Sequence, residues 1–128
     1  MRNLEAARIL LEAALRDLRA LYGMLDRDTF ADEIFGFHVQ QTAEKALKAW
    51  LSYFAVDFPY THDLSLLLQE LEDLECDVSE FWELVEFNLF AVQLRYDALV
   101  AVDEPINRQV AIAQVQSLYT TVENALTQ

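Results

Sequence analysis

The sequence predicts an all-α protein, an antiparallel up-and-down four-helix bundle with one additional short helix. Three observations predict it. Only two glycines (Gly23, Gly36) and two prolines (Pro59, Pro105) punctuate the 128 residues, too few turn formers for a chain of many short strands. Apolar residues recur at helical rather than alternating spacing through long stretches. Hydrophobic residues make up 54% and charged residues 24% of the chain, which excludes a disordered polypeptide. No linker, internal repeat or low-complexity stretch divides the sequence, so residues 1–128 read as a single domain.

The first helix is expected from Asn3 to Leu25. Leu4, Leu11, Leu15, Leu18, Tyr22 and Leu25 form its stripe, Asn3 can cap it, and Gly23 falls near its end. The second is expected from Thr29, a cap candidate, to Val56. Phe35, Val39, Ala43, Ala46, Trp50 and Phe54 gather on one side, and Gln40, Gln41, Glu44, Lys45 and Lys48 on the other. Glu44 and Lys48 have the favoured i, i+4 order, and Lys45 and Lys48 read as a solvated surface that can also meet phosphate. Pro59 should stop this helix. Thr61 then caps a short helix from His62 to Leu74, whose last turn is acidic (Glu70, Glu72, Asp73, Glu75), the wrong sign for a helix C-terminus. A long helix is expected from Ser79 to Val102, with Asp77 or Ser79 as cap. It is apolar around most of its girth, so it should bury more than one side and supply a dimer interface. The last helix runs from Pro105 to Leu126, capped by Asp103, with Ala111, Val115, Leu118, Val122 and Ala125 inward.

The formal charge is −13, from 22 acids and 9 bases. Such a body repels nucleic-acid phosphate and anionic membrane, so nucleic acid would need a local basic site or a basic partner. A single cysteine, Cys76, excludes an internal disulfide and suits a reducing, cytoplasmic setting. The charged N-terminal stretch does not read as a signal peptide, and no uncharged apolar run reaches membrane-spanning length.

Two polar residues interrupt the apolar segment after Ser79. Asn88 and Arg95 are seven residues apart and share a helical stripe. A buried guanidinium needs a carboxylate such as Glu44 or Asp63, backbone carbonyls, or a bound anion. Its planar fork suits carboxylate and phosphate equally. The two histidines, His38 and His62, stand on separate segments with no metal-ligand spacing, so neither a metal nor a cofactor is expected. Acidic neighbours make Cys76 a poor nucleophile, and no glycine-rich phosphate loop exists.

The run Phe37-His38-Val39-Gln40-Gln41-Thr42-Ala43-Glu44-Lys45-Ala46-Leu47-Lys48-Ala49 resembles the second-helix signature of HEPN domains (higher eukaryotes and prokaryotes nucleotide-binding). Thr61-His62-Asp63-Leu64, followed by Leu67 and Leu68, resembles that family's next landmark, and Arg95-Tyr96 falls where such domains carry an arginine on the third long helix. The similarity spans about residues 3–126. It implies a helical bundle that forms a homodimer and partners a minimal nucleotidyltransferase, often as a toxin–antitoxin pair with the HEPN protein as RNase. In RNase members the site is an Arg followed, after four to six residues, by a His. Here the positions that histidine would take are Val100, Ala101 and Val102, so the motif is incomplete. Tyr96 does not match the tyrosine that follows the histidine in modified members. The expectation is a weakly catalytic or non-catalytic dimer that binds nucleotide or phosphate through Arg95, Asn88, Lys45, Lys48 and His62. The alternatives are an RNase using a displaced histidine, with Arg95, His62 and His38 as catalytic candidates, and a purely structural interaction protein.

Overall fold

The computed structural model describes residues 3–58, 60–91 and 104–127. It contains α1 (Leu4–Tyr22), α2 (Asp32–Tyr53), α3 (Leu64–Asp73), a 3₁₀ helix (Ser79–Phe90) and α4 (Arg108–Leu126). No strand occurs among the described residues, and none of their helices is long and apolar enough to cross a membrane. The all-helical bundle with a short extra helix is therefore the observed fold class.

The centre of the bundle is α2, which packs against every other element. Its Phe35, Val39, Ala43, Ala46, Ala49 and Trp50 lie in the core. Against it α1 turns a seam of Ala7, Leu11, Ala14, Leu18 and Leu21. The alternating four- and three-residue steps are those of a helix pair packed side by side, and the alanines let the backbones approach. This corrects the expected stripe. Leu4, Tyr22 and Leu25 are exposed, and the seam instead takes in Ala7, Ala14 and Leu21 beside the expected Leu11 and Leu18. On α4, Ala111, Val115, Leu118 and Val122 are buried as expected, with Ala125 partly so.

Helix ends follow local hydrogen bonding. The Asn3 cap is present, Asn3 Oδ1 accepting from Ala6 N at 3.2 Å. Thr29 is not a cap: its hydroxyl donates to Asp26 Oδ2 at 2.7 Å inside the loop, and α2 starts after Ala31 with no side-chain cap. Asp63, not Thr61, caps α3, while the Thr61 hydroxyl accepts from Asp63 N at 3.0 Å. Asn107 caps α4; Pro105 precedes the helix, and Asp103 lies outside the described residues. α2 ends before Pro59, in a turn where Ala55 N donates to Ser52 O and Val56 N to Leu51 O. Ala55 there has φ 57°, and the same turn after α3 puts Glu75 at φ 65°. Both occupy the left-handed position that glycine usually takes.

The helix expected over Ser79–Val102 differs most. Through Phe90 it is a 3₁₀ helix, and Val92–Val102 lie outside the described residues. With three residues per turn, side chains three apart stack. Phe81, Leu84, Phe87 and Phe90 are buried, Trp82, Val85 and Asn88 half-buried, and Glu80, Glu83, Glu86 and Leu89 exposed. One face in three is thus solvent and one is core. Trp82 Nε1 donates to Glu72 Oε2 at 3.0 Å, which gives one acid of the α3 C-terminus a partner. The buried face ends with the Phe90 ring lying on the α2 backbone: a Cβ at Gly36 would sit 2.6 Å from Phe90 Cγ and Cδ2. Glycine is required there for that close approach.

A buried clasp joins the α1–α2 loop to the start of α4. Arg108, 3% exposed, donates to Met24 O and Phe30 O at 2.5 Å each and to Asp32 Oδ1 at 2.8 Å. Its guanidinium lies 4.9 Å from the Phe35 ring centroid. Asp32 Oδ2 accepts from Ile106 N at 2.9 Å, and Arg27 bridges Asp32 and Ile106 O. Burial raises the Asp32 carboxyl, but the Arg108 and Ile106 hydrogen bonds outweigh it and hold it below its ordinary value.

Candidate functional site

The polar stripe of α2 is not a solvated surface. Gln40 and Glu44 are buried and Lys48 is only 12% exposed, because the α2–α3 connection and the 3₁₀ helix close over that side. Spacing of four residues sets Gln40, Glu44 and Lys48 on successive turns. Glu44 is the hub. Its Oε1 accepts from Gln40 Nε2 at 3.0 Å and meets His62 Nδ1 at 2.8 Å, and its Oε2 accepts from Lys48 Nζ at 3.0 Å. Gln40 Nε2 also donates to His62 O at 2.8 Å, and Gln41 Nε2 to Gln40 Oε1 at 2.8 Å. Backbone and ring of His62 are therefore both fixed to α2. Burial raises the Glu44 carboxyl, but its hydrogen bonds with Gln40, His62 and Lys48 prevail and lower it. An ionised carboxylate only accepts hydrogen bonds, so the proton of the neutral His62 ring belongs on Nδ1. The other ring nitrogen, Nε2, is then an acceptor on a side chain that is 45% exposed.

Asn88 joins the same corner from the 3₁₀ helix. Its Oδ1 accepts from Leu64 N at 2.9 Å and its Nδ2 donates to Asp63 Oδ1 at 2.7 Å. Ser65 donates to the same Asp63 oxygen through its N and Oγ, and these bonds lower the Asp63 carboxyl. Asn88 thus holds the first turn of α3 against the 3₁₀ helix, and with it the neighbouring His62. Above Lys48 stand two aromatic rings, Phe58 at 5.6 Å and Tyr60 at 6.0 Å from Nζ to the centroids.

The other basic candidates lie elsewhere. Lys45 Nζ donates to Asp17 Oδ2 at 2.7 Å and His38 Nδ1 meets Asp17 Oδ1 at 3.0 Å, forming a bridge between α1 and α2. Burial raises Asp17, and the two hydrogen bonds lower it further than that, for a net fall. Of the expected residues the fold therefore gathers Lys48, His62 and Asn88 and sets Lys45 and His38 apart. Arg95 lies outside the described residues. Sequence reasoning missed Gln40 and Glu44 as the organising pair. The signal was present, since two amides, a carboxylate and an ammonium recur along one side of a helix whose remaining face is apolar. Among the described residues no group of acidic, histidine and cysteine side chains has the arrangement of a metal site.

Comparison with curated proteins and with solved structures finds no match. The sequence does match a family profile, that of the HEPN domain, over residues 7–125. That span takes in the α2 stripe, the Thr61–Leu64 corner and Asn88, and nearly the whole chain, so this protein belongs to the HEPN domain family.

Proposed function

We propose that this HEPN-family protein is a homodimer that binds the phosphate of a nucleotide and partners a minimal nucleotidyltransferase in a toxin–antitoxin-type pair. The observation that carries the reading is the corner built on Glu44. One buried carboxylate holds an ammonium and an imidazole side by side, with the imidazole edge reaching solvent. Glu44 balances the Lys48 charge, and a phosphate arriving at His62 Nε2 meets a ring nitrogen anchored beside that ammonium, where an N–H donor gives a charge-assisted hydrogen bond. Arg95 would add a bidentate contact from the segment that follows Asn88. Elsewhere the chain is strongly acidic, which favours a basic protein partner over free RNA.

Calorimetry with adenosine 5′-monophosphate and inorganic pyrophosphate tests the site. Binding by the wild type, weakened at least tenfold in Lys48→Ala, His62→Ala and Arg95→Ala and unchanged in Lys45→Ala, is the expected pattern. Absence of binding to the wild type overturns it. Light scattering at micromolar concentration should show twice the 14.8 kDa chain mass; a monomer removes the dimer. A nucleotidyltransferase reading frame next to this one, whose product co-purifies with it, supports the pairing.

A second reading, RNA cleavage by a displaced histidine, is favoured by the Glu44–His62 bond. A carboxylate that fixes the Nδ1–H tautomer leaves Nε2 as a base. It expects cleavage lost in His62→Ala and kept in His38→Ala, whose ring lies on Asp17. Identical cleavage in both variants sinks it.

A further inference from the structure

We propose that Tyr60 is the residue that takes the base of the bound nucleotide, by stacking. The inference rests on the phosphate reading above and adds the residue that meets the base, whether a free nucleotide or single-stranded RNA carries it.

Tyr60 is 96% exposed. A tyrosine ring held almost wholly in water gains nothing from burial in the folded chain. The other described tyrosines are used otherwise. Tyr22 donates to Gln116 Oε1 at 2.9 Å, Tyr119 faces Glu123, and Tyr53 packs against the core beside Phe54. Tyr60 instead stands directly over the polar corner. Its ring centroid is 5.9 Å from that of His62 in an edge-to-face arrangement, and 6.0 Å from Lys48 Nζ. The contact with His62 leaves the ring almost wholly exposed.

The juxtaposition has a chemical meaning. An open aromatic face accepts any nucleobase, since every base has a π-face, and an adjacent cation holds the backbone phosphate. Phe58, half-buried and 5.6 Å from the same ammonium, adds a second aromatic ring beside Lys48. A phosphate alone would need none of this. An inorganic anion site is served by the Lys48–His62 pair, and the aromatic ring beside it adds affinity only when a flat ring arrives with the phosphate.

The test is calorimetry on wild type, Tyr60→Ala and Tyr60→Phe with adenosine 5′-monophosphate, ribose 5-phosphate and a short adenine oligoribonucleotide. The proposal expects the nucleotide Kd to rise about tenfold in Tyr60→Ala and to recover in Tyr60→Phe, as for loss of one base–aromatic stack. Ribose 5-phosphate should bind all three proteins equally and more weakly than the nucleotide binds wild type. Loss seen with the oligoribonucleotide but with no measurable mononucleotide binding assigns the base to RNA. Loss seen with both leaves the free nucleotide sufficient. Equal affinity of wild type for the nucleotide and ribose 5-phosphate overturns the stacking role and leaves the phosphate site standing. Absence of binding by all three ligands overturns both. If light scattering shows that Tyr60→Ala changes the oligomer while nucleotide binding stays the same, the ring belongs to a subunit contact and the proposal fails. Since the side chain is solvated, the variant should melt like wild type.

Discussion

Replacing Arg108 by methionine should be among the most damaging single changes in this fold. The guanidinium is buried and ties three backbone carbonyls of the α1–α2 loop and the Asp32 carboxylate to the start of α4. Methionine can fill much of the volume and lie on Phe35, but it donates nothing. Removing one member of a buried ion pair costs about 3–5 kcal/mol. Asp32 retains 16% exposure and a bond from Ile106 N, which favours the low end. The buried Arg108 Nε has no partner among the described residues, so its removal returns a little of the loss. A net cost of about 3 kcal/mol over a chain of this length lowers Tm by about 11 °C. Calorimetric melting of Arg108→Met, Asp32→Leu and the double variant gives the answer. The double should lose less than the two singles combined, because it leaves no unmatched charge. A loss below about 1 kcal/mol in Arg108→Met, or strict additivity, would refute the reasoning that a desolvated charge pair organises this corner.

Three further outcomes follow from the geometry. Gly36→Ala places a methyl 2.6 Å from the root of the Phe90 ring; overpacking of about 1–3 kcal/mol outweighs the helix preference of alanine, so urea melts should show a net loss, partly recovered when Phe90 is also changed to leucine. Ala55→Gly and Glu75→Gly relieve left-handed backbone at two helix ends, and each should raise unfolding free energy by about 0.5–1 kcal/mol in the same assay. Asp17, Asp32, Glu44 and Asp63 are held below their ordinary values, so their contribution is complete above about pH 5 and disappears as pH falls through the lowered values; Tm should drop steeply below about pH 4, and Asp17→Asn should flatten that drop.

Helix identity was legible wherever a stripe repeats at the α period, and Ala111, Val115, Leu118 and Val122 show it. Orientation was less so: α1 buries Ala7 and Ala14 along with Leu11, Leu18 and Leu21, while Leu4 and Leu25 stay exposed. Termini were obscure for a physical reason: α2 and α3 end in left-handed turns at Ala55 and Glu75, with no glycine to announce them. The 3₁₀ helix was legible in a way that the α template hides. Glu80, Glu83 and Glu86 step by three, as do Phe81, Leu84, Phe87 and Phe90, and a repeat of three denotes three residues per turn. Within the site, the Glu44–Lys48 pair was visible from spacing alone. The bond from Glu44 to His62 was not, since it joins residues 18 apart across a connection whose course no local pattern dictates. Arg108 was hidden for the same reason: its partners come from the far end of the chain.

The Glu44 stripe poses the sharpest choice between a working site and a polar staple. If Gln40, Glu44 and Lys48 only hold the α2–α3 corner in place, an apolar pair should not do that work as well. Buried ion pairs, however, are often replaced by hydrophobic residues of similar size without loss. Glu44→Leu alone strands Lys48, a side chain only 12% exposed, and should cost about 3 kcal/mol. Glu44→Leu with Lys48→Met removes both charges and should return to within about 1 kcal/mol of wild type; His62 stays solvated and loses only its anchor. Phosphate binding should vanish in the double, which has lost the Lys48 ammonium. Recovery of stability without recovery of binding means that the charges are kept for the ligand rather than for the fold. A double variant as unstable as Glu44→Leu would mean that the bonds to Gln40 and His62 hold the corner by themselves, and the case for a binding site would then rest on the solvent-facing imidazole and Tyr60 alone.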